Sequence, residues 1–317
     1  MTVRGPEPAE RGRASSVIAV AGPTGSGKSR LAIDLALSLG GEVVNADSQQ
    51  LYRGLEIATA KPTSAERAEV PHHLYELAEP GEGYDAARYV EAADRAITDV
   101  LARGGVPVLC GGTGLYLRAL LHGVAEAPGR DPALRAELEA FAAREGRPAL
   151  HARLAAVDPE AAAKIGPNDL VRIVRGLEIA RGGRTQSQVF REHAFRGDRY
   201  RFRLLALDLD RGSLHARIAA RVQRMVGPEL LQEVAALEAR FGGAVPARLP
   251  IGYAEAVSLS RGEIDRAEAV RLIEIAHRRY ARRQVIWLRR EPGVEWLSPP
   301  VDADALAADL RAWLERG

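Results

Sequence analysis

Residues 22–29 read GPTGSGKS, a run of the form G-x-x-x-x-G-K-[ST]. The chemistry of that pattern is the holding of phosphate. Gly22, Gly25 and Gly27 let backbone amides turn inward around phosphate oxygens, with Pro23, Thr24 and Ser26 between them. Lys28 supplies a mobile cation and Ser29 offers a hydroxyl to magnesium. Lysine occurs only at 28, 61 and 164 among 44 basic residues, so drift does not explain a lysine here. A second reactive group is Asp47, which opens the polar stretch DSQQLYRGLEIATAK with Ser48, Gln49, Gln50, Tyr52, Arg53 and Lys61. Three roles are open to Asp47: general base, magnesium contact, or the aspartate of a turn. A third group is GGTG, Gly111–Gly114, where Thr113 would point a hydroxyl into a crevice. A phosphate loop alone does not specify a nucleotide. Most nucleoside triphosphatases set a magnesium-binding Asp after an apolar strand, whereas Val106–Cys110 runs into Gly111 and Gly112. Asp208, after Leu204–Leu207, imitates that acid but arrives late and reads as a cap for the following helix. The bound group is therefore expected to be a diphosphate that leaves.

These groups need a sheet edge to hold them. Val17–Ala21 and Glu42–Ala46 are short apolar runs, and Ser29–Leu39 between them has helical periodicity closed by Gly40 and Gly41. That βαβ unit predicts a parallel sheet with a right-handed crossover. Ligands in such sheets bind at the carboxyl ends of the strands, where all three groups fall. Residues 47–83 read as a long functional loop with little regular structure. A helix is predicted from Asp85 to about Arg103 and a third strand at Val106–Cys110. From Pro128 to Gly197 the chain is Ala- and Arg-rich and helical, and Tyr200–Leu209 then resumes the sheet. The C-terminal third is mostly helical, with starts near Ser213, Pro228 and Asp265 and a last helix near Ala303–Glu315. The expected fold is α/β: a parallel-sheet core of the P-loop type from 16–127 and 198–317, a helical insertion at 128–197, and a disordered leader at 1–15.

Composition narrows the setting. The chain has 317 residues, enough for a substantial core, and 46% hydrophobic content excludes a wholly disordered or fibrous protein. With 44 basic and 42 acidic residues, any nucleic-acid surface must be a local patch. One cysteine, Cys110, excludes an intrachain disulfide and a multi-cysteine zinc module, and in an apolar strand it reads as a core residue. His72 and His73 lack a third clustered ligand and read as loop structure. No signal peptide or membrane span is evident, so a cytoplasmic setting without a membrane partner is expected.

GPTGSGKS, NADSQQLYRGLEIATAKP, PHHL (71–74), CGGTGLYLRALL, PNDLVRIVRGLEI, HARIAARVQRM and RRYARRQVIWLR together resemble, in order, the bacterial tRNA dimethylallyltransferases, also called tRNA isopentenyltransferases. The likeness runs from about Val17 to Trp296. It implies transfer of a dimethylallyl group from dimethylallyl diphosphate to the exocyclic amine of adenosine 37, beside a tRNA anticodon, with Mg2+ assisting. The resemblance places Gly22–Ser29 on the diphosphate with Thr24 facing substrate, Asp47 as general base and Arg221 on the diphosphate. It also places Asp47–Gln50, Thr113, Arg135, Gly166, Pro167, Asn168, Asp169, Leu170, Leu249, Pro250, Ile251, Gly252, Tyr253 and Ala254 against tRNA. The stretch RLPIGYAEA departs from the family pattern, which has basic residues flanking the Gly-Tyr pair.

Residues 271–290 carry seven arginines, among them Arg278, Arg279, Arg282 and Arg283, against the single acid Glu274. With Tyr280 and Trp287 interleaved, this segment reads as a phosphate-contacting face with some stacking. The partners expected are the tRNA anticodon stem-loop and dimethylallyl diphosphate, with the protein acting as a monomer. A free adenylate acceptor, as in cytokinin-type isopentenyltransferases, and a small-molecule P-loop kinase are the alternatives.

Overall fold

The computed structural model describes residues 16–125, 127–193 and 197–316; the leader expected at 1–15 lies outside the described residues. The first elements are β1 (Ser16–Ala21), α1 (Lys28–Leu39) and β2 (Gly41–Asn45), followed by α2 (Ser64–Glu69), β3 (His72–His73), α3 (Ala86–Ala102), β4 (Val106–Gly111) and α4 (Gly114–His122). Beyond the insertion come β5 (Arg201–Leu207), β6 (Val294–Leu297) and a terminal helix at Ala303–Glu315. Among the described residues, six strands form one sheet in the order β3-β2-β4-β1-β5-β6, and every pairing is parallel.

Period-two alternation sorts β1 between two apolar layers. Val17, Ala19 and Ala21 pack with Tyr89, Ile97, Leu117 and Leu120 on one face. Ile18 and Val20 pack with Leu31, Ile33, Leu35 and Leu310 on the other. All six residues of β1 are buried, which is why Val17–Ala21 reads as an unbroken apolar run.

The loop after β2 is more structured than its sequence suggests. It contains α2, started by a capping box of Thr63 and Glu66, and β3 at the sheet edge. His72 and His73, read as loop residues, are therefore strand residues; His73 Nε2 lies 2.5 Å from Glu42 Oε2. Lys61 is a strut in this loop. Its ammonium is fully buried and donates to the Tyr52 carbonyl at 2.6 Å and to Glu56 at 2.7 Å.

The chain divides into two compact units, one of residues 1–121 and 199–317 and one of 122–198. The second unit is helical: α5 (Pro132–Glu145), α6 (Arg147–Val157), α7 (Pro159–Lys164), α8 (Leu170–Arg181) and α9 (Gln186–His193). It has its own core of Leu134, Leu138, Leu150, Leu154, Ile165, Ile173 and Val174. Aspartates set its helix starts: Asp131, Asp158 and Asp169 each accept the backbone N–H three residues on.

Arg135 belongs to this scaffold. Its Nε and Nη2 both donate at 2.6 Å to the carboxylate of Glu178, which is almost wholly buried. Burial opposes the Glu178 charge, but bonds from Arg135, the Asp131 amide and Arg175 prevail and hold its carboxyl down at about 2. Arg135, expected at tRNA, thus has its Nε and Nη2 engaged inside this unit. Arg135→Met would take two charge-assisted bonds from a buried carboxylate that keeps Arg175 and the Asp131 amide, and cost about 1.5–3 kcal/mol. Thermal unfolding should show that loss, and Arg135→Met with Glu178→Met should recover most of it.

Candidate active site

The phosphate loop joins β1 to α1, with Gly25 at φ 83° and Gly27 at φ 98°. Both lie in the left-handed region that favours glycine, and Gly27 caps α1 in that conformation. Lys28 and Ser29 open the helix, so the cation and the hydroxyl stand at its positive end. Burial pulls the Lys28 ammonium pKa down, and the nearby Asp47 carboxylate works against that.

The end of β2 is knitted to the end of β4. The Ala46 N–H donates to the Cys110 carbonyl at 2.8 Å, and the Thr113 N–H donates to the Ala46 carbonyl at 3.2 Å. A Cβ on Gly111 would lie 2.2 Å from the Ala46 carbonyl oxygen, so glycine is required for this approach. Thr113 does not simply face the crevice: its Oγ1 accepts from the Ser48 N–H at 2.8 Å and donates to Ser48 Oγ at 3.0 Å. Cys110 is buried as expected, and burial raises its thiol to about 11.

Asp47 is buried, and its Oδ1 accepts the Gln49 N–H at 3.0 Å. The turn-forming role is therefore real, but it occupies one oxygen. Oδ2 accepts no hydrogen bond among the described residues. Tyr89 steadies the strand beneath, its hydroxyl donating to the Asn45 carbonyl at 3.1 Å while its ring stacks on Tyr116.

The remaining wall comes from helices the sequence placed only coarsely: α10 (Arg211–Met225), α11 (Pro228–Arg240), α12 (Tyr253–Ser260) and α13 (Arg266–Leu288). From α10, Arg221 Nη1 donates to Thr24 Oγ1 at 3.2 Å and Arg217 Nη1 donates to the Ser26 carbonyl at 3.1 Å. Burial lowers the Arg221 pKa, with Asp47 opposing. Arg221 Nε and Ser26 Oγ are buried without a hydrogen-bond partner among the described residues. Two buried donors beside a phosphate loop suit an anionic ligand.

The inner face of α13 corrects the reading of its aromatics. Tyr280 points inward and its hydroxyl donates to Asp47 Oδ1 at 3.4 Å, while Trp287 lies against Gly114, where a Cβ would fall 2.1 Å from the indole. Neither ring is a free stacking platform. The outer face keeps Arg279, Arg282, Arg283 and Arg289 exposed, whereas Arg278 is paired with Glu274. A cleft of about 1110 Å³ lies along this face and α10, lined by Arg211, Arg217, Arg279, Arg282 and Arg289 among others.

Other expected positions are placed as follows. Asp210 caps α10, accepting the Ser213 N–H at 2.9 Å; Asp208 instead donates its N–H to the Leu297 carbonyl, which corrects the expected cap. Gln50 Nε2 donates to the carbonyls of Thr59 and Ala60. Gln49 Oε1 accepts the Ile251 N–H at 3.0 Å, which ties the Asp47 loop to 249–254. Within that segment Pro250, Gly252 and Tyr253 are buried and Ala254 is exposed. Tyr253 donates its hydroxyl to Glu233 at 2.6 Å, so its side chain supports the segment and does not present a tRNA contact. In the second unit Gly166, Pro167 and Asn168 are exposed, while Asp169 caps the helix that begins at Leu170.

Sequence reasoning missed His277 and Gln284, both buried on the α13 face that turns inward. The available signal was their spacing, which continues the apolar positions Ile273, Ala281 and Leu288. Burial, then the Arg221 charge, pushes the His277 imidazole down to about 4 from an ordinary 6.5. The unfolded chain binds this proton more readily. The histidine's contribution is complete above pH 6.5 and is lost as pH falls toward about 4. Up to about 3 kcal/mol is at stake across that window. His277→Gln should flatten the fall in melting temperature with acidification, and parallel curves for the two proteins would count against this.

The sheet, its phosphate loop and the neighbouring strand ends place the chain among P-loop enzymes. The family described as IPP transferase matches residues 50–291, and the isopentenyl transferase family matches residues 15–76. The tRNA dimethylallyltransferase of Anaeromyxobacter dehalogenans is 68% identical over 92% of this chain and 97% of its own. The crystal structure of the tRNA isopentenylpyrophosphate transferase of Bacillus halodurans is 35% identical, with a TM-score of 0.68 over 95% of this chain and 97% of its own. A eukaryotic dimethylallyltransferase described as acting on tRNA is 28% identical, with a TM-score of 0.76 over 94% of this chain and 77% of its own. The chain belongs to the IPP transferase family, the tRNA dimethylallyltransferases.

Proposed function

We propose that Asp47 Oδ2 takes the proton from the exocyclic amine of a tRNA adenosine as that nitrogen bonds to the dimethylallyl carbon of dimethylallyl diphosphate. The enzyme is a tRNA dimethylallyltransferase. The amine is a poor nucleophile because its lone pair is delocalised into the purine, so the proton must leave as the bond forms. The open oxygen of Asp47, beside a phosphate loop, is the observation that carries this assignment.

The allylic carbon departs with cationic character while negative charge grows on the diphosphate. Loop amides, Lys28 and Arg221 carry that charge. Thr24, held by Arg221, fixes the loop's substrate-facing edge. Magnesium fits as well. It needs few protein oxygens beside those of a diphosphate, and Ser29 at the start of α1 supplies one. Bound there, it would neutralise charge on the leaving group. The target base must leave its stack to reach the carboxylate. The exposed arginines of α13 suit the tRNA backbone, and the exposed 166–168 loop offers a further contact within the second unit. The chain's composition suits the cytoplasm, where this substrate resides.

Labelled dimethylallyl diphosphate offered with tRNA, AMP or ATP tests this reading. Label should pass to tRNA far faster than to AMP. Equal transfer to AMP would favour the free-adenylate reading, and catalytic phosphate release from ATP would favour a kinase.

A further inference from the structure

Gln284 is 3% exposed and stands between the two halves of the site. Its Oε1 accepts the Thr24 N–H at 2.8 Å and its Nε2 donates to the Gly112 carbonyl at 3.0 Å. One planar amide thus joins the phosphate loop to the turn after β4. From Gly112 the connection continues through Thr113, whose hydroxyl holds both the amide and the hydroxyl of Ser48, next to Asp47. A Cβ on Gly112 would lie 2.0 Å from Gln284 Nε2, so the turn is shaped to admit this side chain.

We infer that Gln284 is a positioning residue that fixes the spacing between the diphosphate cradle and the carboxylate base. The inference rests on the transferase reading above. Three features of the geometry support it. The bond to Thr24 withdraws that N–H from the cradle and fixes the orientation of its peptide, which leaves Thr24 Oγ1 for Arg221. The pairing demands an acceptor and a donor on one uncharged group long enough to reach both, which among side chains at this length means glutamine. Both partners are backbone atoms just beyond the β1–β4 ladder, which ends at Ala21 and Gly111, so Gln284 carries the tie between these two strand ends past the point where the ladder stops. Displacements of about 1 Å between reacting groups cost on the order of 100-fold in rate.

The test compares Gln284→Met and Gln284→Glu with the unmodified protein. Three quantities are read: the single-turnover rate with tRNA, the affinity for inorganic diphosphate by calorimetry, and the affinity for tRNA. Methionine keeps the length but neither bond. It is expected to slow transfer by roughly 10- to 100-fold and to weaken diphosphate binding several-fold, with tRNA affinity little changed. Glutamate accepts from Thr24 but, when ionised, sets a second acceptor against the Gly112 carbonyl. Once protonated, it donates there again. Its rate relative to the unmodified enzyme at the same pH should therefore climb as pH falls. Asp47, Lys28 and Tyr280 are common to both proteins, so the ratio differs only by the added carboxylate and its charge on them. A methionine variant with the unmodified rate, or a glutamate ratio flat with pH, would overturn the inference. If the methionine variant does not fold, the glutamate series carries the test alone. If the unmodified protein does not prenylate tRNA, the function proposed above fails, and the diphosphate measurement still reports on Gln284.

Discussion

Asp47→Ala should slow prenyl transfer to tRNA by about 10²- to 10⁴-fold, the usual cost of losing a general base. Its tRNA affinity should stay within about threefold, since one loop side chain adds little to a polyanion interface. Alanine alone does not separate the two roles of this residue, because it removes the turn bond to Gln49 together with the open oxygen. Asp47→Asn does separate them. Its amide oxygen can still accept from Gln49 and from Tyr280, so the turn survives while basicity is gone. Asn and Ala should therefore be about equally slow in single-turnover assays. An Asn variant near the unmodified rate would reduce Asp47 to a turn residue and leave the reaction without its base.

The second large effect is electrostatic. Arg279, Arg282, Arg283 and Arg289 are exposed, whereas Arg278 and Arg271 are paired with Glu274 and Glu268. Each phosphate neutralised contributes about −0.7 to −0.9 to the log–log dependence of tRNA affinity on salt. Changing Arg279, Arg282, Arg283 and Arg289 to Gln should flatten that slope by up to about 3. Transfer from the saturated complex at low salt should change far less, because the reacting groups lie on the opposite face of α13. An unchanged slope would place the tRNA backbone elsewhere.

What the sequence disclosed follows the depth of burial. β1 and β4, and the buried stretches of β2 and β5 at Val43–Val44 and Leu204–Leu207, are legible because parallel strands covered on both faces read as apolar runs. β3 and β6, of two and four residues, are only partly buried and carry no such run. The phosphate loop and Asp47 are legible because their chemistry is local. The closing wall is not. Gln284 meets Thr24 and Gly112 across separations of 260 and 172 residues, and a polar residue on a helical stripe resembles a break in the pattern. The arginines of α13 suggested one function for the whole helix, but the inner residues at 277, 280 and 284 serve the site while the outer ones face solvent.

The strand order bears on how the protein is made. β1 lies between β4 and β5, so one of its edges is paired once residue 111 has formed and the other only when residues 201–207 follow. The second unit is synthesised in between. At ribosomal speeds of about 5–20 residues per second, the nascent sheet waits on the order of ten seconds with an uncharged, largely apolar central strand open along one side. That strand is an edge only during synthesis, and it has none of the charges or prolines that protect permanent edges. Slowing elongation through the second unit, or depleting the chaperones that shield nascent chains, should therefore lower the soluble yield of this enzyme without altering the stability of the molecules that do fold.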